Sequence, residues 1–482
     1  MWAFELSHLY PEIWVIAMTC FILVVDLFVS HWSKWITYLL CQFTLVGALF
    51  LTVALLGEET KTYFYNMFIL DTIGSVLKIV IYFIGFFALI YARKYIFEHS
   101  VYRGEYFVLC LFSIFGMMVL ISSASFLTLY LGIELLALPL YALITIIKED
   151  TIAPEAAMKY FVMGALASGM LLYGISLFYG VTGSFELQEI ANQLALQPKD
   201  APQITLLFGL VFVLVGLAFK FGAVPFHLWL PDVYQGSPMP VTLFIGTLPK
   251  IAAFGFSIRL LVDTFPAFNA HWQQVMLVMA VLSITIGNVV AIAQTNLKRM
   301  LGYSTIAHIG FIFLGLLAGP ESGFAAAMDY VIIYALMALG AFGIMSALSY
   351  QGFEAENIQD FRGLGTHSPW IAFLMMLLLF SFAGVPPLAG FYAKFFVLDA
   401  LINAGYVWVA VYAVLLTVVG AFYYLRVVRV MFFDRPLETV YFNKISKPGI
   451  ALLSLNSLTI LALGIFPTPL FNVCLMVTSI PR

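Results

Sequence analysis

The stretch GLAFKFGAVPFHLWLPDVYQGSPMP, residues 216–240, decides how the rest of the chain is interpreted. It begins as the end of an apolar helix that contains Lys220, and Pro225 interrupts that helix before a short amphipathic piece. A proline inside a helix removes a backbone hydrogen bond. In lipid, the carbonyls that it frees must be satisfied by neighbouring helices or by water in a cavity. The stretch therefore predicts a broken membrane helix with a lysine at the break, a candidate station for an ion or a proton.

Composition identifies the broad class of the protein. Of its 482 residues, 63% are hydrophobic and 10% are charged, and the mean hydropathy is +1.02. A soluble globular protein of this size needs far more polar surface, so the chain is predicted to be one integral membrane domain over residues 1–482. Because Glu5 and Glu12 precede the first apolar run, that run is interpreted as a retained spanning helix and not as a cleaved signal peptide.

Apolar runs long enough to cross a bilayer predict an all-α bundle of about fourteen transmembrane helices. The twelfth run is long and is interrupted at Pro386 and Pro387, which predicts a second broken helix. The predicted spans are 11–29, 35–56, 72–91, 106–122, 126–147, 158–182, 204–224, 240–262, 272–293, 301–318, 324–348, 369–402, 406–432 and 449–476.

The two predicted breaks suggest an internal repeat. GAVPF at 222–226 resembles AGVPP at 383–387, and the two stretches lie five spans apart. An odd spacing places the two copies in opposite membrane orientations. Inverted repeats with a broken helix in each half are a recurrent transporter architecture, with the working site near the middle of the membrane. We therefore expect two inverted repeats, residues 105–262 and 272–432.

Basic residues in the predicted loops favour one side of the membrane. By the positive-inside rule, the richer side is cytoplasmic, so both termini face the outer side, the periplasm of a bacterial inner membrane. The richer side holds Lys34, Arg93, Lys94, Arg103, Lys148, Lys298, Arg299, Arg362, Arg426, Arg429, Arg435, Lys444 and Lys447, and the other side holds Lys61, Lys199 and Arg482.

Four ionisable side chains lie deep in the predicted spans: Glu134, Lys220, Lys250 and Lys394. A lone charge at the bilayer centre costs roughly 2.5–3.5 kcal/mol, so such groups are usually functional. Glu134 is the plausible partner of Lys220, and a lysine beside a carboxylate that moves can gain or lose a proton. The alternative is a static ion pair that locks two helices. Lys250 and Lys394 would be further proton stations, with snorkelling to an interface as their alternative.

Three further residues are weaker candidates for proton transfer. His308, with Ser304 and Thr305 one turn before it, either shuttles protons or is a buried, neutral, hydrogen-bonded histidine. His227 lies beside the first break and has the same two interpretations. Lys159 opens the sixth span, where it is either an uptake point for protons or a solvated helix end.

Other charged residues are expected to be structural. Lys78 and Arg259 lie near span ends and are expected to snorkel. Asp232 follows Pro231 and is expected to cap or neutralise that turn. Protonated lysine has no lone pair for a cation, and Glu134 is the only deep carboxylate expected, so the sequence predicts a proton path and not a sodium site.

The sequence predicts no cofactor in this chain. Its four cysteines are far apart and form no CxxC or Cys/His cluster, which argues against an iron–sulfur or zinc site. Neither a Walker loop nor a strand-borne GxGxxG is present, so nucleotide binding is not expected. The expected partners are the lipid bilayer and other membrane subunits, and nucleic acid is not among them.

The chain resembles the antiporter-like membrane subunits of respiratory complex I, NADH:quinone oxidoreductase, and most closely those of the N type. The longest matching piece is specific, and WLPDVYQGSP within it follows the N-type wording. The resemblance is carried by YLGIELLALPLY (130–141), EAAMKYFVMGALASG (155–169), GLAFKFGAVPFHLWLPDVYQGSPMPVT (216–242), LPKIAAFG (248–255), QTNLKRMLGYSTIAHIGF (294–311) and SFAGVPPLAGFYAKFFV (381–397).

The resemblance implies a role for each candidate. Glu134 and Lys220 would be the family's charge pair, Lys250 the central relay lysine, Lys394 the terminal lysine on the exit side, and His308 part of the water-linked polar axis. NADH, FMN, the iron–sulfur clusters and quinone would belong to other subunits of the complex.

The expected function is proton translocation through this Glu/Lys relay, coupled to quinone reduction in other subunits. Two alternatives stay open: a cation/proton antiporter subunit, and a scaffolding membrane subunit whose lysines only pair helices. The sequence is compatible both with proton exit through this subunit and with lateral transfer to a neighbour.

Overall fold

Apolar stretches of the chain form long helices, because a helix in lipid satisfies its own backbone groups. The computed structural model describes residues 6–29, 35–98, 104–147, 150–196, 204–350, 352–436 and 445–479. The helices of the first half are α1 Tyr10–Phe28, α2 Trp35–Ala54, α3 Thr72–Glu98, α4 Gly104–Ile121, α5 Phe126–Ile144, α6 Ala153–Thr182, α7 Leu187–Ala195, α8 Ile204–Phe221, α9 Trp229–Gly236 and α10 Met239–Ser257.

The second half begins after a π-helical turn, Ile258–Thr264, and a 3₁₀ turn, Pro266–Phe268. Another 3₁₀ turn, Ile358–Phe361, precedes α14. The helices are α11 Asn269–Ile292, α12 Leu297–Ala318, α13 Gly323–Leu348, α14 Leu364–His367, α15 Pro369–Ala383, α16 Ala389–Asn403, α17 Val407–Phe433, α18 Lys447–Ile465 and α19 Thr468–Ser479.

The predicted fold class, a multi-pass all-α membrane bundle, is confirmed. Within the described ranges, thirteen helices are long and apolar enough to cross a membrane, and the broken helix α15–α16 corresponds to the remaining predicted span. The predicted span 449–476 is wrong as a single helix. It is divided into α18 and α19 around Pro467, which has no amide hydrogen to continue the helix.

A small β-hairpin and an amphipathic helix, neither of which the sequence predicted, lie on one face of the bundle. Strands β1 Lys61–Tyr63 and β2 Phe68–Leu70 pair antiparallel, and α7 buries Leu187, Ile190, Ala191 and Leu194. We call this side the hairpin face. His8 stacks on Tyr63 with ring centroids 4.5 Å apart, and Thr478 lines a cavity beside Lys61. Both ends of the described chain therefore lie on the hairpin face.

Successive spans alternate in direction, so the described basic loop residues other than Lys61 lie at the opposite face. The charge prediction cannot be followed at Lys34, Arg103, Lys148, Lys199, Lys444 and Arg482, which lie outside the described residues.

Three helices form the centre of the bundle. Every residue of α10 is buried, and α12 and α13 are buried along nearly their whole length. A helix that is apolar on all sides is typical of such a position. These helices nevertheless carry Lys250, His308 and Asp329, whose side chains are at most 4% exposed. Ionisable side chains therefore lie on the most deeply buried helices of the bundle.

The prediction that Lys78 and Arg259 snorkel to an interface is wrong, since each side chain is only 2–3% exposed. Lys78 forms an ion pair with Glu12 of α1. Arg259 donates to both carboxylate oxygens of Asp71 at 2.8 Å and to Asp263 at 3.1 Å. Glu12 and Asp71 are distant in sequence from the cations they pair with, and Asp263 lies one turn from Arg259. These ion pairs allow both cations to stay buried.

Candidate functional site

The first helix break follows α8. Gly222 has a positive φ of 80°, and the amides of Gly222 and Ala223 both donate to the carbonyl of Ala218 at 2.9 Å. This αL ending satisfies the carbonyl of Ala218 and also that of Phe219, to which the Gly222 amide donates at 3.0 Å, and the chain then passes Pro225 to reach α9. The break turns the remaining end carbonyls towards the interior, where other groups must satisfy them.

The second break, after α15, has the same local geometry. Gly384 has a φ of 86°, and the amides of Gly384 and Val385 both donate to the carbonyl of Phe380 at 3.0 Å. The chain passes Pro387 three residues after the glycine, as it passes Pro225 three residues after Gly222. The predicted pair of broken helices is therefore present, with matching hydrogen bonds.

A buried lysine satisfies the end carbonyls at each break. Lys250, on α10, donates to the carbonyl of Phe221 at 2.7 Å, and Lys394, on α16, donates to the carbonyls of Phe382 at 2.8 Å and Ala383 at 3.1 Å. The C-terminus of a helix carries a partial negative charge, which favours an ammonium group. In the described part of the chain, no carboxylate lies within ion-pair distance of either lysine.

Each of these ammonium groups also lies over an aromatic ring. Lys250 Nζ is 5.2 Å from the ring centroid of Trp229, the first residue of α9, and Lys394 Nζ is 5.5 Å from that of Phe311 on α12. A cation over a ring face is stabilised by the ring quadrupole. Carbonyls and rings together replace part of the hydration that burial removes.

Glu134 and Lys220 are neighbours that do not touch in this structure. Lys220 Nζ is 3.5 Å from the carbonyl oxygen of Ile133, the residue before Glu134. Glu134 instead accepts a hydrogen bond from Ser168 of α6. The predicted pairing is therefore present as proximity, without the direct ion pair expected from sequence.

Two small cavities lie beside the lysines. One, of about 10 Å³, is lined by Lys220, Trp229 and Pro249, and so separates Lys220 from the neighbourhood of Lys250. The other, also about 10 Å³, is lined by Lys394 and His308. Each is about the volume that one water molecule requires. Single waters at these positions would connect polar groups that do not reach each other directly.

His308 is the centre of a hydrogen-bonded cluster of hydroxyl groups. Its Nδ1 lies 2.6 Å from the Tyr330 hydroxyl and its Nε2 lies 3.2 Å from the Tyr424 hydroxyl. Tyr424 also bonds Ser304, one turn before His308 on α12. The hydroxyl partners were missed, although the i, i+4 spacing of Tyr330 and Tyr334 on one helix face was a usable signal. The second alternative for His308, a hydrogen-bonded buried histidine, describes its geometry.

Lys159 and Asp232 belong to a charged cluster at the face opposite the hairpin. Asp232 lies 2.8 Å from Lys159 Nζ and 2.5 Å from Arg299 Nη1, and Glu155 lies 2.9 Å from the same lysine. The Lys159 side chain is 40% exposed. Asp232 therefore joins α9 to α6 and α12, which corrects the expectation that it only caps its own turn.

His227 lies in the segment between α8 and α9 and is buried. Among the described residues, no hydrogen bond joins its side chain to Lys220 or Lys250. The structure thus buries Lys250, Lys394 and His308 in the bundle, leaves Lys159 partly exposed, and buries His227 without a hydrogen bond to either lysine.

The expectation of a single deep carboxylate is wrong. Asp329 lies inside the predicted span 324–348, on α13, and is 1% exposed. The sequence shows this aspartate inside an otherwise apolar span, but it was overlooked among the candidate buried charges. Within the described residues, no group of three or more His, Cys, Asp or Glu side chains is placed to hold a metal ion.

A multi-pass helical bundle with two broken helices and a buried lysine at each break has the architecture of a membrane transporter. A family model described as NADH:quinone oxidoreductase/Mrp antiporter, transmembrane, matches residues 123–420. The chain belongs to that family.

Relatives confirm the resemblance found from the motifs. The chain is 52% identical to the NADH-quinone oxidoreductase subunit N of Thioalkalivibrio sulfidiphilus, over 95% of both chains. It is similar to a chain of respiratory complex I from Thermus thermophilus, with a TM-score of 0.82, 30% identity and coverage of 96% and 98% of the two chains. A chain of the Mrp complex from Dietzia sp. DQ12-45-1b has a TM-score of 0.85, 19% identity and coverage of 99% and 97%, which shows the fold alone. The protein is a membrane subunit of a hetero-oligomeric complex.

Proposed function

We propose that this chain is a proton-translocating membrane-arm subunit of an NADH:quinone oxidoreductase. Protons move through it by way of Glu134, Lys220, Lys250 and Lys394 while other subunits reduce quinone. NADH, FMN, iron–sulfur clusters and quinone are bound by those other subunits. The family membership and the subunit N names of the relatives support this assignment.

The observation that carries the proposal is the bonding of Lys250 and Lys394 to carbonyls at the two helix breaks. A protonated lysine donates through three N–H groups. The neutral amine keeps two N–H donors and gains a lone pair, so the carbonyl bonds survive in either state. A lysine in a buried ion pair, such as Lys78 with Glu12, cannot lose its proton without leaving an uncompensated carboxylate. The two break lysines are therefore suited to exchange protons.

The order of the groups gives a path through the bundle. Movement of Glu134 relative to Lys220 changes how strongly the ammonium of Lys220 holds its proton. The cavity between Lys220 and Trp229 leads towards Lys250. The His308 cluster and its cavity then lead to Lys394. Lys159, exposed at the opposite face, is an uptake point, and His227 has a secondary role beside the first break.

The matching hydrogen bonds at the two breaks support the inverted repeats 105–262 and 272–432. The breaks lie five spans apart, so their helices run in opposite directions across the membrane. The hairpin face holds both described ends, and the described basic loop residues favour the opposite face. We assign the hairpin face to the periplasm of a bacterial inner membrane on this charge asymmetry.

The test is proton pumping by the assembled complex in membrane vesicles supplied with NADH. Lys220→Ala, Glu134→Ala, Lys250→Ala and Lys394→Ala should each remove most pumping, while recovery of the variant chain in the purified complex shows that the complex is assembled. Lys447→Ala, at an exposed lysine that opens α18, is the matched control and should pump normally. Normal pumping in the four relay variants would contradict the proposal.

The two alternative functions give different results in the same experiments. A scaffolding role predicts lost assembly, with normal pumping by the complex that remains. A cation/proton antiporter predicts sodium-for-proton exchange by vesicles that contain this chain without NADH-dependent pumping. The absence of an acidic partner at Lys250 and Lys394, among the residues that the structure describes, favours the relay over the scaffolding role.

A further inference from the structure

Asp329 is a buried carboxyl group that the proposed relay does not use. It is 1% exposed on α13, one of the three central helices, and neither carboxyl oxygen has a hydrogen-bond partner in the described part of the chain. A buried charge without a partner is costly, and a buried polar group without a hydrogen bond is also unfavourable. Intramembrane carboxylates of this kind are functional by default.

The buried lysine and arginine side chains of the described chain bond groups other than Asp329. Helix α19, which carries Cys474, packs against α13. The buried ionisable side chains have other partners: Lys78 with Glu12, Arg259 with Asp71 and Asp263, Lys250 with the Phe221 carbonyl, His308 with Tyr330, Lys298 with Glu354 and Glu356, and Lys394 with the Phe382 carbonyl. Within the described residues, Asp329 is thus not half of an ion pair that holds two helices together.

A cavity open at the hairpin face is lined in part by the first turn of α13, the helix that carries Asp329. Its volume is about 960 Å³, and its lining includes Phe324 near the start of α13 and Thr478 near the end of α19. Asp329 follows Phe324 by five residues, about 7.5 Å along the helix axis. Thr478 lies one turn from Cys474, and its hydroxyl donates to the Cys474 carbonyl at 2.8 Å. Along α13, Asp329 therefore lies between one and two helical turns from the residue that lines the cavity.

On its other side, Asp329 adjoins the His308 cluster. The next residue on α13 is Tyr330, whose hydroxyl lies 2.6 Å from His308 Nδ1. His308 and Lys394 line one small cavity. Asp329 and the hydroxyl partner of His308 are thus consecutive residues of the helix whose first turn lines the large cavity.

We propose that Asp329 is a proton-binding site between the His308 cluster and the cavity of the hairpin face, through which protons leave this subunit. The site takes a proton from a hydronium or water chain, forming a carboxyl O–H bond, and then releases the same proton to water in the cavity. This inference rests on the proposed function and adds an exit route within this chain, in place of lateral transfer to a neighbouring subunit.

The test compares Asp329→Asn with Asp399→Asn in the assembled complex. Asparagine keeps the size of the side chain but cannot bind and release the proton, so Asp329→Asn should lower NADH-driven pumping by about tenfold or more. Asp329→Glu should retain most pumping. Asp399, an exposed carboxylate on α16, receives the same chemical change, and its variant should pump like the unmodified complex. Equal pumping by the two asparagine variants would overturn the inference.

Infrared difference spectra during NADH oxidation provide a second measurement. A carboxyl band that appears on turnover should shift in Asp329→Glu and be absent in Asp329→Asn. If Asp329→Asn does not assemble, the carboxyl band of Asp329→Glu is compared with that of the unmodified complex. An unshifted band in Asp329→Glu then overturns the inference. Measurements on Lys250→Ala and Lys394→Ala distinguish failure of the exit site from failure of the proposed function. Lost pumping in these lysine variants with normal pumping in Asp329→Asn contradicts the exit site alone, and normal pumping in all of them contradicts the proposed function.

Discussion

The side-chain nitrogen of Lys250 lies 2.7 Å from the carbonyl oxygen of Phe221, the residue directly before the positive-φ glycine that ends α8. Lys394 bonds the carbonyl of Ala383, which directly precedes Gly384 at the other break. The first lysine reaches its break from the next helix, and the second reaches it from its own broken helix. The equivalent carbonyls in the two halves therefore accept hydrogen bonds from lysines that lie on non-equivalent helices.

Replacing Gly384 by alanine should displace Lys394 from its break. An added Cβ would lie 3.1 Å from Lys394 Cδ, and the φ of 86° is unfavourable for alanine by about 1–2 kcal/mol. We expect pumping to fall together with stability. Vesicle pumping and thermal unfolding of the complex measure the two effects.

Gly183→Ala is the matched control for that change. Gly183 ends α6 in the same left-handed conformation, with a φ of 69°, and no heavy atom lies within 4 Å of its added Cβ. A similar backbone strain should lower stability without affecting pumping. If Gly183→Ala and Gly384→Ala reduce pumping equally, backbone strain and not the position of Lys394 is responsible.

Glu134 and Lys220 should behave as one functional unit. Lys220→Met should abolish most pumping, Glu134→Gln should reduce it, and the double variant should be no worse than Lys220→Met, because residues that act together are strongly non-additive. Pumping rates of the four members of the cycle measure this. Fully additive losses would show that the two residues act independently.

The Asp71–Arg259 pair should matter for stability and not for transfer. Arg259→Met would remove the guanidinium that pairs with the buried Asp71, and breaking a buried ion pair typically costs about 3–5 kcal/mol. We expect less assembled complex and a lower unfolding temperature, with normal pumping per assembled complex. Asp71→Asn in the same chain should recover part of the stability. A loss of pumping per complex would place this pair in the proton path.

Tyr330→Phe should disturb the His308 cluster. Without the hydroxyl, His308 Nδ1 loses its 2.6 Å partner, and an unsatisfied buried polar group costs about 1–3 kcal/mol. Pumping should fall while assembly persists. Tyr392→Phe, at a partly buried tyrosine on α16, removes the same hydroxyl and should leave pumping unchanged. Similar pumping in both variants would remove Tyr330 from the path.

The spans could be predicted from sequence because burial in lipid requires long apolar runs and local backbone pairing. The breaks could be predicted because Pro225 and Pro387 interrupt such runs. Pro467 likewise interrupts the last predicted span, but the apolar residues on both sides of it led to the prediction of a single helix.

The partners of charged residues were harder to predict, because tertiary contacts decide them. Lys78 meets Glu12 from 66 residues away, and Arg259 meets Asp71 from 188 residues away. No local pattern indicates either contact. The carbonyl bonds of Lys250 depend on the αL ending at Gly222, which only the folded backbone reveals. Hydroxyl groups such as that of Tyr330 were overlooked because a tyrosine in an apolar span is most simply a packing residue, although the spacing of Tyr330 and Tyr334 placed two hydroxyl groups on one helix face.

The most direct test of the central claim measures protons pumped per NADH oxidised in the complex that carries Lys250→Arg. Arginine keeps the positive charge and can donate to the Phe221 carbonyl, but it does not lose its proton in proteins. The account predicts an assembled complex whose ratio falls well below that of the unmodified complex and of the control Lys447→Arg. An unchanged ratio in Lys250→Arg would contradict it, because the buried cation would then act without releasing a proton.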